Sequence, residues 1–240
     1  MKLIGNNRES YFDNPVRNYP ILIKLLMIVA CLLVGLVTKI LWRWTIQDGK
    51  RLLTEKGHRG QVIIMNHVSL LDPIPIIVYM ILHGRYVRPI YKSGFDDNFF
   101  FKWLFPRMGA IPVVRDTADI KALRLAQRAL EAGDSVLIFP EGTRVKRDED
   151  SHIHGGFALI AQMGKADIVP MAIVGGRSIM PYGSKMIHFN RVRLRVGEPL
   201  TFDRFSDLKR KERIRAMEEL AVQKVFQMRN RMYEQYHIDE

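Results

Sequence analysis

Cysteine is almost absent from this chain: Cys31 is the only one in 240 residues. A single thiol closes no internal disulfide, and no cysteine–histidine cluster has zinc-ligand spacing. A disulfide-stapled secreted scaffold and a structural zinc module are both excluded. Internal repeats and low-complexity linkers are missing as well. The length suits one domain with a small appendage, large enough to bury a core without staples. Acidic residues are in short supply: 25 Asp+Glu face 37 Lys+Arg, for a formal net charge of +12. A surplus of that size favours a polyanionic partner, whether nucleic acid, an anionic membrane surface or a phosphorylated substrate. Its distribution narrows the choice. Residues 1–60 hold 10 basic against 4 acidic side chains, whereas residues 201–240 hold 9 against 8. The excess sits around the N-terminal apolar segment and in the middle of the chain, not in a basic tail. With 48% hydrophobic and 26% charged residues, the composition excludes wholesale disorder.

The N-terminal segment lacks an uninterrupted run of spanning length. Leu25–Thr38 is 14 residues without a charge, bracketed by Lys24 and Lys39. A spanning helix needs about 20 apolar residues, and Tyr19–Trp44 reaches that length only if both lysines snorkel. The long basic region and the lack of a small-residue cleavage site after the run argue against a signal peptide. Trp42 and Trp44 beside Lys39 and Arg43 have the pattern of an interfacial anchor. Two readings stand: a membrane-seated helix that dips in or spans, and a buried core helix. The membrane is favoured, because nothing else in the first 60 residues offers cover for so apolar a stretch. The expected division is a membrane-associated helical segment over 1–60 and an α/β domain over 61–240.

Beyond residue 60, short apolar runs alternate with helical patterns. Strands are expected at Gln61–Asn66, Val87–Tyr91, Ile111–Val114, Ser135–Phe139, Ile168–Val174 and Arg191–Val196. Leu70–His83 reads as an apolar helix with Pro73 in its first turn, and Asp207–Tyr236 as a long charged one. Ala118–Ala132 is amphipathic, with Ile120, Leu123, Ala126 and Leu130 on one face, Asp116 or Thr117 as cap and Gly133 as stop. The alternation predicts an α/β fold with a mixed, largely parallel sheet flanked by helices. In such sheets ligands gather beyond the carboxyl ends of strands, so the chemistry is sought there.

Directly after the first strand comes Asn66-His67-Val68-Ser69-Leu70-Leu71-Asp72. Residues five apart on a regular helix point about 140° apart, so a His67–Asp72 bond needs a turn. Ser69 supplies one as an N-cap, with Asp72 three residues on as in a capping box. The carboxylate then folds back onto one imidazole nitrogen and leaves the other as general base. The plain structural reading gives Asp72 only a capping role and His67 a structural hydrogen bond. After the Ser135–Phe139 strand comes Pro140-Glu141-Gly142-Thr143-Arg144. The glycine admits close backbone approach, Thr143 brings a hydroxyl, and Arg144 brings a planar fork suited to phosphate. Glu141 orients that arginine or accepts from a substrate hydroxyl. The competing reading is an ordinary turn with a weak surface ion pair. Arg115, just past Ile111–Val114, is a second candidate phosphate clamp. Pro170 interrupts a buried strand, which implies an edge or a bulge and a structural part in one wall of the pocket.

Together these stretches resemble the glycerolipid acyltransferase family, especially its 1-acylglycerol-3-phosphate acyltransferases, from about Gln61 to Pro199. Four blocks stand in the family's order: Asn66, His67 and Asp72 as NH-x4-D, Gly109 through Arg115, Phe139 through Arg144, and Val169-Pro170. The resemblance implies that His67 is the general base and Asp72 its partner. It also implies that Arg115, Glu141, Gly142, Thr143 and Arg144 bind the acceptor's glycerol phosphate. Asn66 and Pro170 join the substrate-binding set on the same ground, and Lys92 matches a lysine common in the family. The chain departs from the pattern at Val145, where a serine is common, and at Ser93-Gly94-Phe95, where a glutamate–leucine pair is usual. His154-Gly155-Gly156 stands in place of Lys-x-Gly, and Asp148–Asp150 adds an acidic stretch. His152 and His154 read as loop residues, not metal ligands.

The implied reaction moves a long-chain acyl group from acyl-CoA or an acyl carrier protein to a lysophospholipid's free hydroxyl, giving phosphatidic acid. The expectation includes no cofactor, no metal and no nucleic-acid partner. It places the protein on a membrane lipid surface at the cytoplasmic face. Glycerol 3-phosphate or another lysophospholipid is the nearer alternative acceptor. Two rivals come from other classes: a basic nucleic-acid-binding protein, for which no groove-reading helix or RNA-binding signature appears, and a non-catalytic membrane-bound scaffold.

Overall fold

The computed structural model describes residues 7–53, 58–114, 119–144, 153–180 and 186–238. Its centre is a seven-stranded sheet in the order β1-β7-β6-β2-β5-β3-β4. The strands are β1 (Thr45–Gln47), β2 (Val62–Met65), β3 (Val87–Lys92), β4 (Ile111–Val113), β5 (Ser135–Ile138), β6 (Ile168–Val174) and β7 (Arg193–Val196). Strands β2 to β6 run parallel. β7 pairs antiparallel with β6, and β1 pairs parallel with β7.

The helices between strands are α3 (Pro73–Leu82), α4 (Phe99–Arg107), α5 (Ile120–Glu131) and α6 (Gly156–Gly164), and α7 (Arg210–Tyr236) closes the chain. Successive strand side chains point to opposite faces, and both faces are apolar here. Ile63, Met65, Leu137, Val169 and Met171 pack toward one side, with α3. Val62, Ile64, Val136 and Ile168 pack toward the other, with α5, α6 and α7. Every residue of β2 and β6 is buried, as expected of central strands covered on both faces.

Before β1 come α1 (Arg8–Asp13) and α2 (Ile21–Trp42). The division expected at residue 60 does not hold. Thr45–Gln47 is a strand of the same sheet, and Tyr11, Phe12, Val16 and Tyr19 are buried. The cause is a long-range clamp that composition does not show. The guanidinium of Arg88, only 1% exposed, donates to the carbonyls of Gly109 at 2.7 Å and Tyr11 at 3.2 Å, and more loosely to Phe12 and Asn14. Asp134 accepts from the Val16 amide at 2.9 Å.

α2 differs from both a core helix and a free one. Met27, Cys31, Gly35, Thr38 and Trp42 form a narrow buried stripe against α3. A Cβ at Gly35 would stand 2.8 Å from a Val78 methyl, so glycine lets the helices approach. Ile23 and Leu41 pack partly against the core, and the exposed large apolar side chains range from 39% exposure at Ile28 to 74% at Ile21. The buried-core reading of Leu25–Thr38 does not survive this, because only the stripe is covered. By length and composition α2 is able to cross a membrane.

Two local expectations are revised. α5 is capped by Asp119, whose carboxylate accepts from the amides of Val114 and Ala122 at 2.9 Å each. Starting at Ile120, the helix buries Ala122, Leu125, Ala126, Ala129 and Leu130. Ile120 is left 59% exposed in the first turn, and Asp116 and Thr117 lie outside the described residues. Pro170 does not mark an edge strand, but it does face a bulge. It lies within β6, between β2 and β7. Its carbonyl accepts from Gly197, one residue past the end of β7, so its missing N–H faces the point where that ladder ends. There the facing chain carries one extra residue between the Met171–Val196 pair and the Ile168–Leu200 bridge.

Candidate active site

Parallel strands bring their carboxyl ends to one edge of the sheet, and the chemistry collects there. His67 follows β2, Lys92 ends β3, Phe139 follows β5 and Gly175 follows β6. The loop after β2 is built around one carboxylate oxygen. Asp72 Oδ2 accepts from the backbone amides of Val68 and Ser69, each at 2.8 Å, and lies 3.0 Å from His67 Nδ1. Ser69 Oγ accepts from Leu71 N at 3.3 Å, and α3 starts at Pro73. The turn lets the carboxylate fold back onto the imidazole, which a regular helix forbids. Asp72 is 2% exposed, so its bonds are shielded from water and correspondingly strong.

The turn after β5 holds the other side of the ring. Phe139 stacks on the His67 imidazole at 4.0 Å between centroids, with 26° between planes. Glu141 is buried, and its Oε2 accepts from the His67 backbone amide at 2.6 Å. Gly142 adopts φ +64° and donates to the Phe139 carbonyl at 2.9 Å, and a Cβ there would press on the His154 ring at 3.1 Å. Sequence reasoning gave Glu141 to the acceptor, but this carboxylate contact ties the two loops together.

Asn66, also expected to bind substrate, is 1% exposed. Its amide donates to the Ile173 carbonyl at 3.0 Å and accepts from the Ile173 amide at 2.9 Å. That pair extends the β2–β6 ladder by a side chain and fixes where the histidine loop begins. Pro170, in register with Ile64, is buried in the sheet below that loop and does not wall an open pocket. Gly142, Thr143 and Arg144 share the turn beside the dyad, Thr143 exposed and Arg144 half-buried. Lys92 is exposed at the same edge. Arg115 lies outside the described residues, as do Val145, Asp148–Asp150 and His152.

Gly176 escaped sequence reasoning. A Cβ there would meet a Val68 methyl at 2.9 Å and Asp72 Oδ1 at 3.0 Å. The signal was the glycine pair Gly175-Gly176 directly after a buried strand, where close backbone approach is the common cause. A cleft of about 550 Å³ lined by His58, Arg59, Lys165 and Asp167 lies at the amino ends of β2 and β6, the edge opposite the dyad. Among the described residues no group of three or more His, Cys, Asp or Glu side chains is placed to hold a metal ion.

The dyad can accept a proton from a nearby hydroxyl. Nδ1 faces the carboxylate, which leaves Nε2 as the ring nitrogen free to meet a hydroxyl. Comparison with known proteins bears on the family. The model of the acyltransferase family matches residues 46–174. The chain is 32% identical over 176 residues to a Bacillus subtilis protein named 1-acyl-sn-glycerol-3-phosphate acyltransferase, covering 72% of this chain and 83% of that one. A Streptococcus pneumoniae protein of the same name is 28% identical over 184 residues, with 75% and 64% covered. The crystal structure of the 1-acyl-sn-glycerophosphate (LPA) acyltransferase PlsC from Thermotoga maritima superposes with a TM-score of 0.55 at 22% identity, over 77% of this chain and 71% of that one. The last of these shows a shared fold, and the sequence matches show more: the chain belongs to the acyltransferase family and is an enzyme of that family.

Proposed function

We propose that the enzyme acylates the free hydroxyl of 1-acylglycerol 3-phosphate with a long-chain acyl thioester, acyl-CoA or acyl carrier protein, to give phosphatidic acid. One observation carries this reading: a buried Asp72 holds the His67 imidazole at the same sheet edge as the Glu-Gly-Thr-Arg turn. His67 Nε2 takes the proton of the acceptor hydroxyl as its oxygen attacks the thioester carbonyl. The C–S bond then breaks, and the imidazolium returns the proton to the departing thiolate. No acyl-enzyme forms, and no cofactor or metal enters the route. General-base help of this kind typically supplies about 10²–10⁴ in rate, and Asp72 stabilises the transient imidazolium. Arg144, with Lys92 and Arg115, holds the acceptor's phosphate and so fixes the hydroxyl near the base.

The same reading seats α2 in a membrane. Between Lys24 and Lys39 the side chains outside the α3-facing stripe are apolar, and a bilayer is the environment in which they lose no hydration energy. Both lipid substrates partition into such a surface. We place the catalytic edge on the cytoplasmic side, where water-soluble acyl thioesters are held. The test is thioester consumption by purified protein with a panel of acceptors. 1-Acylglycerol 3-phosphate should be used far better than a lysophospholipid without the phosphate monoester. Preference for glycerol 3-phosphate would reassign the acceptor, and no consumption with any acceptor would overturn the reading.

A further inference from the structure

α4 displays an aromatic surface that the acyl-transfer chemistry does not use. Its inward side chains knit a cluster: Phe105 lies 5.0 Å from Phe101, 4.6 Å from Tyr91 and 5.9 Å from Phe95. Its outward side chains are Phe99, Phe100 and Trp103, exposed by 84%, 58% and 45%. These positions share one face of the helix. They are held firmly. Asn98 caps the start by accepting from the Phe100 amide at 2.9 Å. The Arg107 guanidinium donates to the Trp103 carbonyl at 2.8 Å and stacks 4.6 Å from the Trp103 ring.

Three exposed aromatics on two turns form an apolar patch of the kind that marks an interaction site. The surrounding charge points to its partner. Lys92 and Lys102 are exposed and Arg107 is half-buried, whereas Asp96 is paired with Arg8 and leaves Asp97 as the one exposed acid on that turn. Aromatic rings flanked by basic side chains suit the headgroup level of an anionic bilayer. Position points the same way. Tyr19, two residues before α2, donates its hydroxyl to the Tyr11 carbonyl at 2.6 Å and lies 3.3 Å from the Pro106 carbonyl of α4. Met108, just past α4, packs in the core that α2 and α3 cover. Both helices therefore lie on the same sheet face, and α4 starts beyond β3 at the catalytic edge.

We propose that α4 is a second lipid-contacting element, in which Phe99, Phe100 and Trp103 enter the headgroup region of an anionic phospholipid surface. A single apolar helix fixes depth but leaves rotation about its own axis to other anchors. A contact away from that axis removes the freedom and turns the His67 edge toward the surface. The inference rests on the membrane seat of α2 for where that surface lies.

Cys31→Ala gives a thiol-free full chain that can be labelled one site at a time with a nitrobenzoxadiazole fluorophore. The sites are Phe100→Cys on α4, Val29→Cys on α2 and Gln223→Cys on the opposite face. The labelled proteins are reconstituted in phosphatidylglycerol–phosphatidylcholine vesicles carrying a nitroxide near the headgroup end of an acyl chain. The labels at 100 and 29 should lose most of their emission and the label at 223 should keep it. A quenched 29 with an unquenched 100 overturns the role of α4 and leaves the seat of α2 standing. An unquenched 29 overturns the seat itself, and α4 then stands or falls on its own quenching. A label at 100 that moves to an apolar environment without quenching overturns the lipid assignment in favour of a protein partner. In a separate measurement, Phe99→Ser/Trp103→Ser should raise the apparent KM for vesicle-held acceptor about tenfold, a loss of about 1.4 kcal/mol. It should leave short-chain soluble acceptor unchanged, and an equal effect on both acceptors counts against the proposal.

Discussion

His67 is held by three contacts from two parts of the chain, its own loop and the turn after β5. Asp72 bonds its Nδ1, Phe139 covers its face, and Glu141 takes its backbone amide. His67→Ala should abolish turnover while acceptor binding stays within a few-fold, because only the base is lost. A folded variant turning over at the wild-type rate would end the general-base assignment. Asp72→Asn keeps an oxygen for the amides of Val68 and Ser69 but loses the charge that stabilises the imidazolium. We expect kcat to fall by about 10²-fold or more, with little change in KM. Gly176→Ala should act through the same carboxylate, since its Cβ would press on Asp72 Oδ1 and Val68. The expected outcome is a drop in kcat with a cooperative melt retained. Arg144→Ala should weaken acceptor use by roughly 10–150-fold, the equivalent of one charge-assisted hydrogen bond, and spare the thioester's KM. The NH-x4-D and Phe-Pro-Glu-Gly-Thr-Arg stretches were legible because their spacing is local. The work of Asn66 was not. Its partner Ile173 is 107 positions away, and a side chain that mimics a strand leaves no pattern in sequence.

The clamp on the N-terminal segment is a property of elements. Arg88 on β3 reaches back to carbonyls at the end of α1, and Asp134 at the start of β5 takes the amide of Val16. Burial pushes the Asp134 carboxyl up from its usual range, and the Val16 amide with Arg88 and Arg17 pulls it partly back. An acid whose folded pKa is raised costs stability while ionised, and that cost is lifted as pH falls through its folded value toward the unfolded one of about 3.9. Arg88→Met removes the nearest cation and strips donors from buried carbonyls. The loss at neutral pH should be about 3–5 kcal/mol. The gap from wild type should narrow on acidification, as Asp134 becomes neutral in both proteins. Urea melts at several pH values check this, and a gap independent of pH would mean that Asp134 is not the group responsible. Most strands and long helices were readable from apolar runs and helical spacing. β1 and α1 were not, since a three-residue strand and a six-residue helix carry too little periodicity. Only pairing with β7 and capture by Arg88 define them.

At the scale of the whole molecule, α2 presents two different surfaces to two different surroundings. Leu25, Leu32 and Leu36 point away from the protein, exposed by 51% to 61%. Replacing all three with Gln should move the protein from the membrane fraction to the supernatant and leave its melt nearly unchanged. If the melt collapses instead, those leucines are core residues after all. The parallel body of the sheet, with its ligands at the carboxyl edge, was foreseeable from the alternation of strands and helices. The reversed pair β7 and β1 was not, because strand direction is set by long-range register. That reversed pair also determines how α2 meets the sheet. Only Arg43 and Trp44 separate the helix from β1. Arg43 closes the helix in the left-handed region at φ +41°, its amide bonded to Lys39. Lys39 lies 4.3 Å from the Trp44 ring and donates to the Trp44 carbonyl. Trp42 and Thr45 are both hydrogen-bonded to Val192. Such a joint has no slack, so the helix behaves as a mast and not as a tether. When a bilayer is thinner than the apolar length, the helix leans over, and the sheet must lean with it. In the membrane seat proposed for α2, the height of the His67 edge above the headgroups would follow bilayer thickness, and lipid composition would act as a mechanical input to the rate.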